Sequence, residues 1–147
     1  MRQKKSFCTS EPGQSLLEFA ILLPVLLLIL LGAVDLGRLY YAQVTITNAS
    51  REAARFGISD PKNPTGIQAR TLAEANGAIT AANITIECAP YNLSQPYSAG
   101  YCASAHAGDR LRVTITYNFT FLTLYMFGFA NLGLSSFTTM AIINAPS

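Results

Sequence analysis

The chain carries few groups able to do chemistry, and the most informative is a carboxylate in an apolar setting. Glu18 opens the run FAILLPVLLLILLGAV, which holds no further charge before Asp35. A carboxylate just inside an apolar span is costly unless it snorkels to the surface, is neutralised or finds a partner. Gly13 lies shortly before it, in the order Gly13, Gln14-Ser-Leu-Leu17, Glu18, Phe19. If the bond between Gly13 and Gln14 were cut, Gln14 would carry a new α-ammonium. Glu18 would then sit one helical turn from that positive charge. The same ammonium on a neighbouring molecule could also pair with it and set the register of an assembly. Further along, Asp35 with Arg38 and Glu52 with Arg55 are opposite charges three apart, suited to pairing along a helix.

The other reactive residues are sparse. There are three cysteines, one histidine and no tryptophan. His106 sits in a Gly/Ala/Ser loop and reads as a surface residue. No nucleophile–base–orienter set is legible, so an enzyme is not expected. No CxxC or histidine cluster accompanies the cysteines, so neither a metal nor another cofactor is expected. The formal net charge is only +2, and Arg2, Lys4 and Lys5 supply three of the ten basic residues, which leaves no basic stripe for nucleic acid. Charged residues make up 12% of the chain, and none follows Arg112.

These groups need a scaffold, and the N-terminal half supplies a long helix. Ser15 to Val34 is long enough, at 1.5 Å per residue, to cross the ~30 Å hydrocarbon layer of a bilayer. The basic start, with no basic residue after the run until Arg38, places the N-terminus in the cytoplasm and the rest of the chain on the far side. A cleaved secretory signal fits poorly, because Leu-Gly-Ala33 is a weak cleavage site and the helical pattern continues past it. A lipoprotein signal fails because Cys8 precedes the apolar run. An uncut signal anchor remains as an alternative. Beyond the span, Leu39, Ala42, Ile46, Ala49, Ala53 and Phe56 recur at spacings of three and four, a narrow apolar stripe. Gly57 ends the pattern, and Asp60-Pro61 follows. A continuous helix from Ser15 to Phe56 would be ~60 Å long, with Pro24 expected to bend it in the membrane half. Its first half needs lipid or other copies of itself to cover it.

The stretch GQSLLEFAILLPVLLLILLGAVDLGRLYYAQVTITNASREAARFG resembles the N-terminal region of TadE-like proteins. These are minor pilins, or pseudopilins, of the tight-adherence (Flp-type) pilus system. The resemblance rests on the basic leader, Gly13, Glu18-Phe19, Pro24, the step Asp35-Leu-Gly37-Arg38, and Arg51-Glu-Ala-Ala-Arg55. It implies cleavage between Gly13 and Gln14 by a prepilin peptidase, with Glu18 and Phe19 in assembly. It also implies a major pilin, other pseudopilins and the pilus assembly platform as partners. Without the leader, which holds Arg2, Lys4, Lys5 and Glu11, the chain keeps seven basic and seven acidic residues. Bulk charge would not oppose close packing of copies.

The expected organisation is a leader over 1–13, a long helix over 14–57 with 15–34 in the membrane, a linker over 58–66 and an extracytoplasmic domain over 67–147. In that domain, Thr65 and Gln68 suggest a capping box for a short helix from Gly66 to Ala81, with Ala69, Leu72, Ala73, Asn76 and Ile79 inward. Asn83 to Cys88 alternates like a strand. Asp109 to Phe121 alternates more clearly, with Leu111, Val113, Ile115, Tyr117, Phe119 and Phe121 on one face. Leu122 to Leu134 is too short to span a membrane and reads as a loop or short helix, capping the sheet or lying on the membrane surface. Ser136 to Asn144 is a last strand. The fold class is α+β: a transmembrane helix, then one short helix on a three- to four-stranded antiparallel sheet.

Cys88 and Cys102 flank a loop rich in Pro, Tyr, Gly, Ser and Asn. A disulfide closing it would contribute ~3 kcal/mol by loop entropy, and an exported compartment permits one. The alternative is two unpaired thiols. Tyr91, Tyr97 and Tyr101 in the same loop read as packing over a small core, or as partner-facing. The function expected is that of a TadE-like pseudopilin taking part in pilus assembly from the bacterial cytoplasmic membrane. The alternative is an uncleaved, single-pass, membrane-anchored binding module facing outward.

Overall fold

The computed structural model describes residues 12–123, 125, 128 and 131–144. The leader through Glu11, with Cys8, lies outside the described residues, as does part of the Leu122–Leu134 stretch. Helix α1 runs from Pro12 to Gly57 and passes through Pro24 without interruption. It is followed by α2 (Pro64–Glu74), β1 (Ile84–Ala89), β2 (Arg110–Thr120) and β3 (Asn131–Ala141). Single 3-10 turns at Ala81–Asn83 and Gly100–Ser104 lead into β1 and join β1 to β2.

The strands form one antiparallel sheet in the order β1-β2-β3. β2 is central and pairs along its whole length with β3, from Arg110 opposite Ala141 to Thr120 opposite Asn131. On its other side Ile115 faces Ile84 and Leu111 faces Cys88. Period-two patterning buries Leu111, Val113, Ile115 and Phe119 of β2 together with Ile84, Ile86 and Cys88 of β1. The second half of α1 lies on this face. Ile46, Ala49, Ala53 and Ala54 are fully buried, with Leu39, Ala42 and Phe56 partly so. The small residues of the stripe let the helix backbone approach the sheet closely. Gly57 serves the same end, since an added Cβ would meet the Leu111 side chain and lie 3.0 Å from Ile67 Cδ1.

α1 runs antiparallel to β2 and is fastened along its length. Near the span, Asp35 meets Leu122 and Thr123. Midway, Ser50 Oγ lies 2.9 Å from Thr138 Oγ1 and 3.3 Å from Ser136 Oγ. At the far end, the Ile143 and Asn144 amides donate to the Ile58 carbonyl at 3.0 and 3.1 Å.

Three sequence expectations need correction. First, α2 begins at Pro64 and ends at Glu74, well short of Ala81. Its cap is Asn63, whose side chain accepts from the Gly66 amide at 2.9 Å, with proline filling the first turn where no amide partner is needed. The Thr65–Gln68 box is therefore not the cap. Second, α2 turns Ile67 and Thr71 inward, with Leu72 half-buried against the core as expected, while Ala69, Ala73 and Asn76 point outward. Asn76 and Gly77 take positive φ just past the helix, and this turn carries Ala75 and Ile79 inward. Third, β3 starts at Asn131, so residues 131–134 are strand, because the long central β2 offers hydrogen-bond partners that far. β3 also turns Ser136 inward and leaves Phe137 outward, 66% exposed.

Candidate membrane and assembly site

The functional groups singled out in the sequence fall at three levels along α1. At its start, Gly13 has open space where a side chain would stand. Gln14 Nε2 donates to Glu18 Oε1 at 3.5 Å, one turn along the same helix. Phe19 is exposed and lines an apolar groove with Leu22, Leu23, Val25, Leu26 and Ile29. α1 is long and apolar enough to cross a membrane, and none of its most apolar window is buried by the rest of the chain.

The second level is Asp35, the first charged residue after the apolar run. The residue is 3% exposed. It accepts the Thr123 hydroxyl, the Thr123 amide at 2.8 Å and the Leu122 amide at 3.0 Å. Arg38 pairs with its other side at 3.2 Å and also sits over the Phe119 ring, 5.4 Å from the centroid. The hydroxyl of Thr123, then the two loop amides and the Arg38 charge, outweigh burial and lower the Asp35 pKa to about 2. The i,i+3 spacing made the Arg38 contact legible. The partners 87 and 88 residues away were not, although an acidic residue ending an apolar run was the available signal.

The third level holds Glu52 and Arg55. They pair at 3.1 Å on the outer side of α1, where Arg55 is exposed. Asp35–Arg38 is thus built into the domain, whereas Glu52–Arg55 is a solvent-facing helix pair.

At the end of the sheet away from the span, Cys88 and Cys102 are joined by a disulfide. The loop it closes is organised by Asp109, which is buried. Its carboxylate accepts the Tyr91 amide at 3.1 Å, the His106 amide at 2.9 Å and the Tyr101 hydroxyl at 3.1 Å. Burial, and then this carboxylate, raise the Tyr101 pKa. Tyr91 is exposed, and Tyr97 stacks on the Arg112 guanidinium at 3.7 Å, with Phe137 on the same group at 5.5 Å. The organising role of Asp109 was missed, because no short-range motif marks a carboxylate that serves three separated donors. Among the described residues, no group of His, Cys, Asp or Glu is arranged to hold a metal.

Residues 13–55 match the family model described as TadE-like protein, so the N-terminal helix is TadE-like from Gly13 nearly to its end. The match covers Gly13 and Gln14, Glu18-Phe19 and both ion pairs. No curated protein and no solved structure matches the chain.

Proposed function

We propose that this protein is a pseudopilin. It is made as a precursor and cut between Gly13 and Gln14 by a prepilin peptidase. It is then placed beside a major pilin and other pseudopilins by a pilus assembly platform. The TadE-like match over 13–55 supports a minor-pilin family associated with the tight-adherence pilus. The observation that carries the reading lies in that same segment. From Gly13 to Val34 the helix keeps its apolar side chains exposed around almost its whole circumference. Such a surface suits lipid at one stage and the matching helices of neighbours at another.

Glu18 is the registering group in this scheme. Its contact to Gln14 within one chain is at the limit of hydrogen-bond distance and exposed. It can yield to the α-ammonium of Gln14 on another copy, which offers a full charge. The domain lies outside the cytoplasm, a placement supported by the Cys88–Cys102 disulfide, since disulfides persist in oxidising compartments.

Mass spectrometry of the membrane-extracted protein tests the proposal. An N-terminus at Gln14 is expected, and an intact leader would instead make the chain an uncut anchored module. Gly13→Leu should block maturation, because a bulky side chain obstructs the extended backbone a peptidase must grip. A Gly13→Leu chain still shortened to Gln14 would overturn the cleavage site.

A further inference from the structure

Asp35 fixes the height of the β2–β3 hairpin end relative to the membrane. It is the first residue past the span, and its carboxylate holds the amides of both Leu122 and Thr123. The end of the hairpin is therefore level with the point where α1 leaves the hydrocarbon. Phe121 and Thr123 line a groove of about 620 Å³ that reaches from Leu28 and Ile29 of the span up to Asp35 and Leu36 just past it. Leu122 and Tyr125 project outward, 61% and 66% exposed. Tyr40 and Tyr41 stand exposed on α1 just above.

This is an unusual place for irregular backbone. At the depth of lipid, an amide without a partner is costly, and open loops there are tolerated only where their polar groups are satisfied. Asp35 meets that requirement for Leu122 and Thr123. Tyrosines on both elements match the aromatic girdle found at membrane–water interfaces. No charged residue follows Arg112 in the sequence, so nothing on this part of the chain repels it from an apolar layer.

We propose that the hairpin end, through Phe121, Leu122 and Tyr125, is a second membrane contact, seated in the interfacial layer beside the span and held at that level by Asp35. The occupant of the groove is the upper part of a lipid acyl chain. The proposal rests on the span reading and is independent of leader cleavage and pilus assembly.

The chain has no tryptophan, so a single introduced one is a clean reporter. Tyr125→Trp in the full chain is reconstituted into phosphatidylcholine vesicles with and without bromines on the upper acyl chain. Leu122→Trp is the second reporter should the first variant fail to form its disulfide. Leu30→Trp, within the span, and Tyr91→Trp, at the opposite end of the sheet, are the references. The expected result is blue-shifted emission from Tyr125→Trp that loses most of its intensity to the brominated lipid, while Tyr91→Trp loses none. Adding Asp35→Asn should reduce the quenching at position 125 and leave it unchanged at position 30. Quenching at 30 but not at 125 overturns the membrane contact alone. A blue shift at 125 insensitive to bromine assigns the patch to another protein surface and also overturns it. Absence of quenching at position 30 removes the span and the contact together.

Discussion

Asp35 and Glu18 stand at the two ends of one apolar run, and their surroundings give them opposite tasks. Asp35 is committed within its own chain, to Thr123, Leu122 and Arg38. Its pKa is lowered from the ordinary 3.8 to about 2, so the unfolded chain takes up this proton at a higher pH than the folded one. The stabilisation is complete above the unfolded value, about 4, and is lost as the pH falls through about 2. Asp35→Asn should thus lower the thermal-unfolding midpoint of the detergent-solubilised protein at neutral pH. The gap to the wild type should narrow on acidification toward 2, and a gap constant with pH would show that the carboxylate charge is not what holds the loop. Glu18 is exposed, and its contact to Gln14 is long. Glu18→Ala removes a costly group from the front of the span, so membrane yield should hold or rise. Co-purification with other pilus components should weaken. Glu18→Gln should behave like Glu18→Ala if charge sets the register, and like the wild type if only shape does. Normal co-purification of both variants would leave Glu18 without a part in assembly.

The elements differ in how plainly the sequence announces them, and the differences have physical causes. α1 is legible because its first half is apolar all round and one face of its second half meets a core, which gives a run followed by a stripe. β2 was legible because it is central, with one face packed beneath α1 and a strict alternation from Leu111 to Phe119. α2 was misread at both ends. A short helix that buries only Ile67 and Thr71 leaves too little pattern to outvote its many alanines. Its true start lay in Asn63-Pro64, a cap followed by a proline. Asn63→Ala should cost about 1 kcal/mol in chemical denaturation, and no change would mean that Pro64 alone sets the start. The start of β3 is hard to place because its inward face, which packs Leu134 and Met140 against the core, is interrupted midway by hydroxyls. Ser136 and Thr138 meet Ser50 in a hydroxyl seam, while Phe137 lies outside with Arg112 and Tyr97. At these three residues a reading that sends hydrophobic residues inward runs against the strand. The candidate site divides the same way. Gly13, Glu18 and the two ion pairs are local and could be read, whereas the Asp35–Thr123 and Asp109 contacts join separated stretches.

At the scale of the whole molecule, the domain is fastened at two opposite ends, by Asp35 beside the apolar run and by the disulfide away from it. Breaking Cys88–Cys102 releases a loop with a sequence separation of 14. The loss should be ~3 kcal/mol, read as a lower denaturation midpoint in Cys88→Ser or under reductant. Peptide mapping after alkylation without reductant should find neither thiol labelled in the exported protein. The helix and sheet also match in length. From Asp35 to Gly57 α1 rises ~33 Å at 1.5 Å per residue, and the 11 residues of β2 extend ~34 Å. The unbroken helix therefore belongs to two bodies at once, and this constrains how the head would move. There is no linker between anchor and core that could act as a joint. Any tilt or rotation of the transmembrane part turns the sheet with it, like a blade on its shaft. Within a fibre, the azimuth of each buried helix would dictate which edge of its head faces the neighbouring subunit.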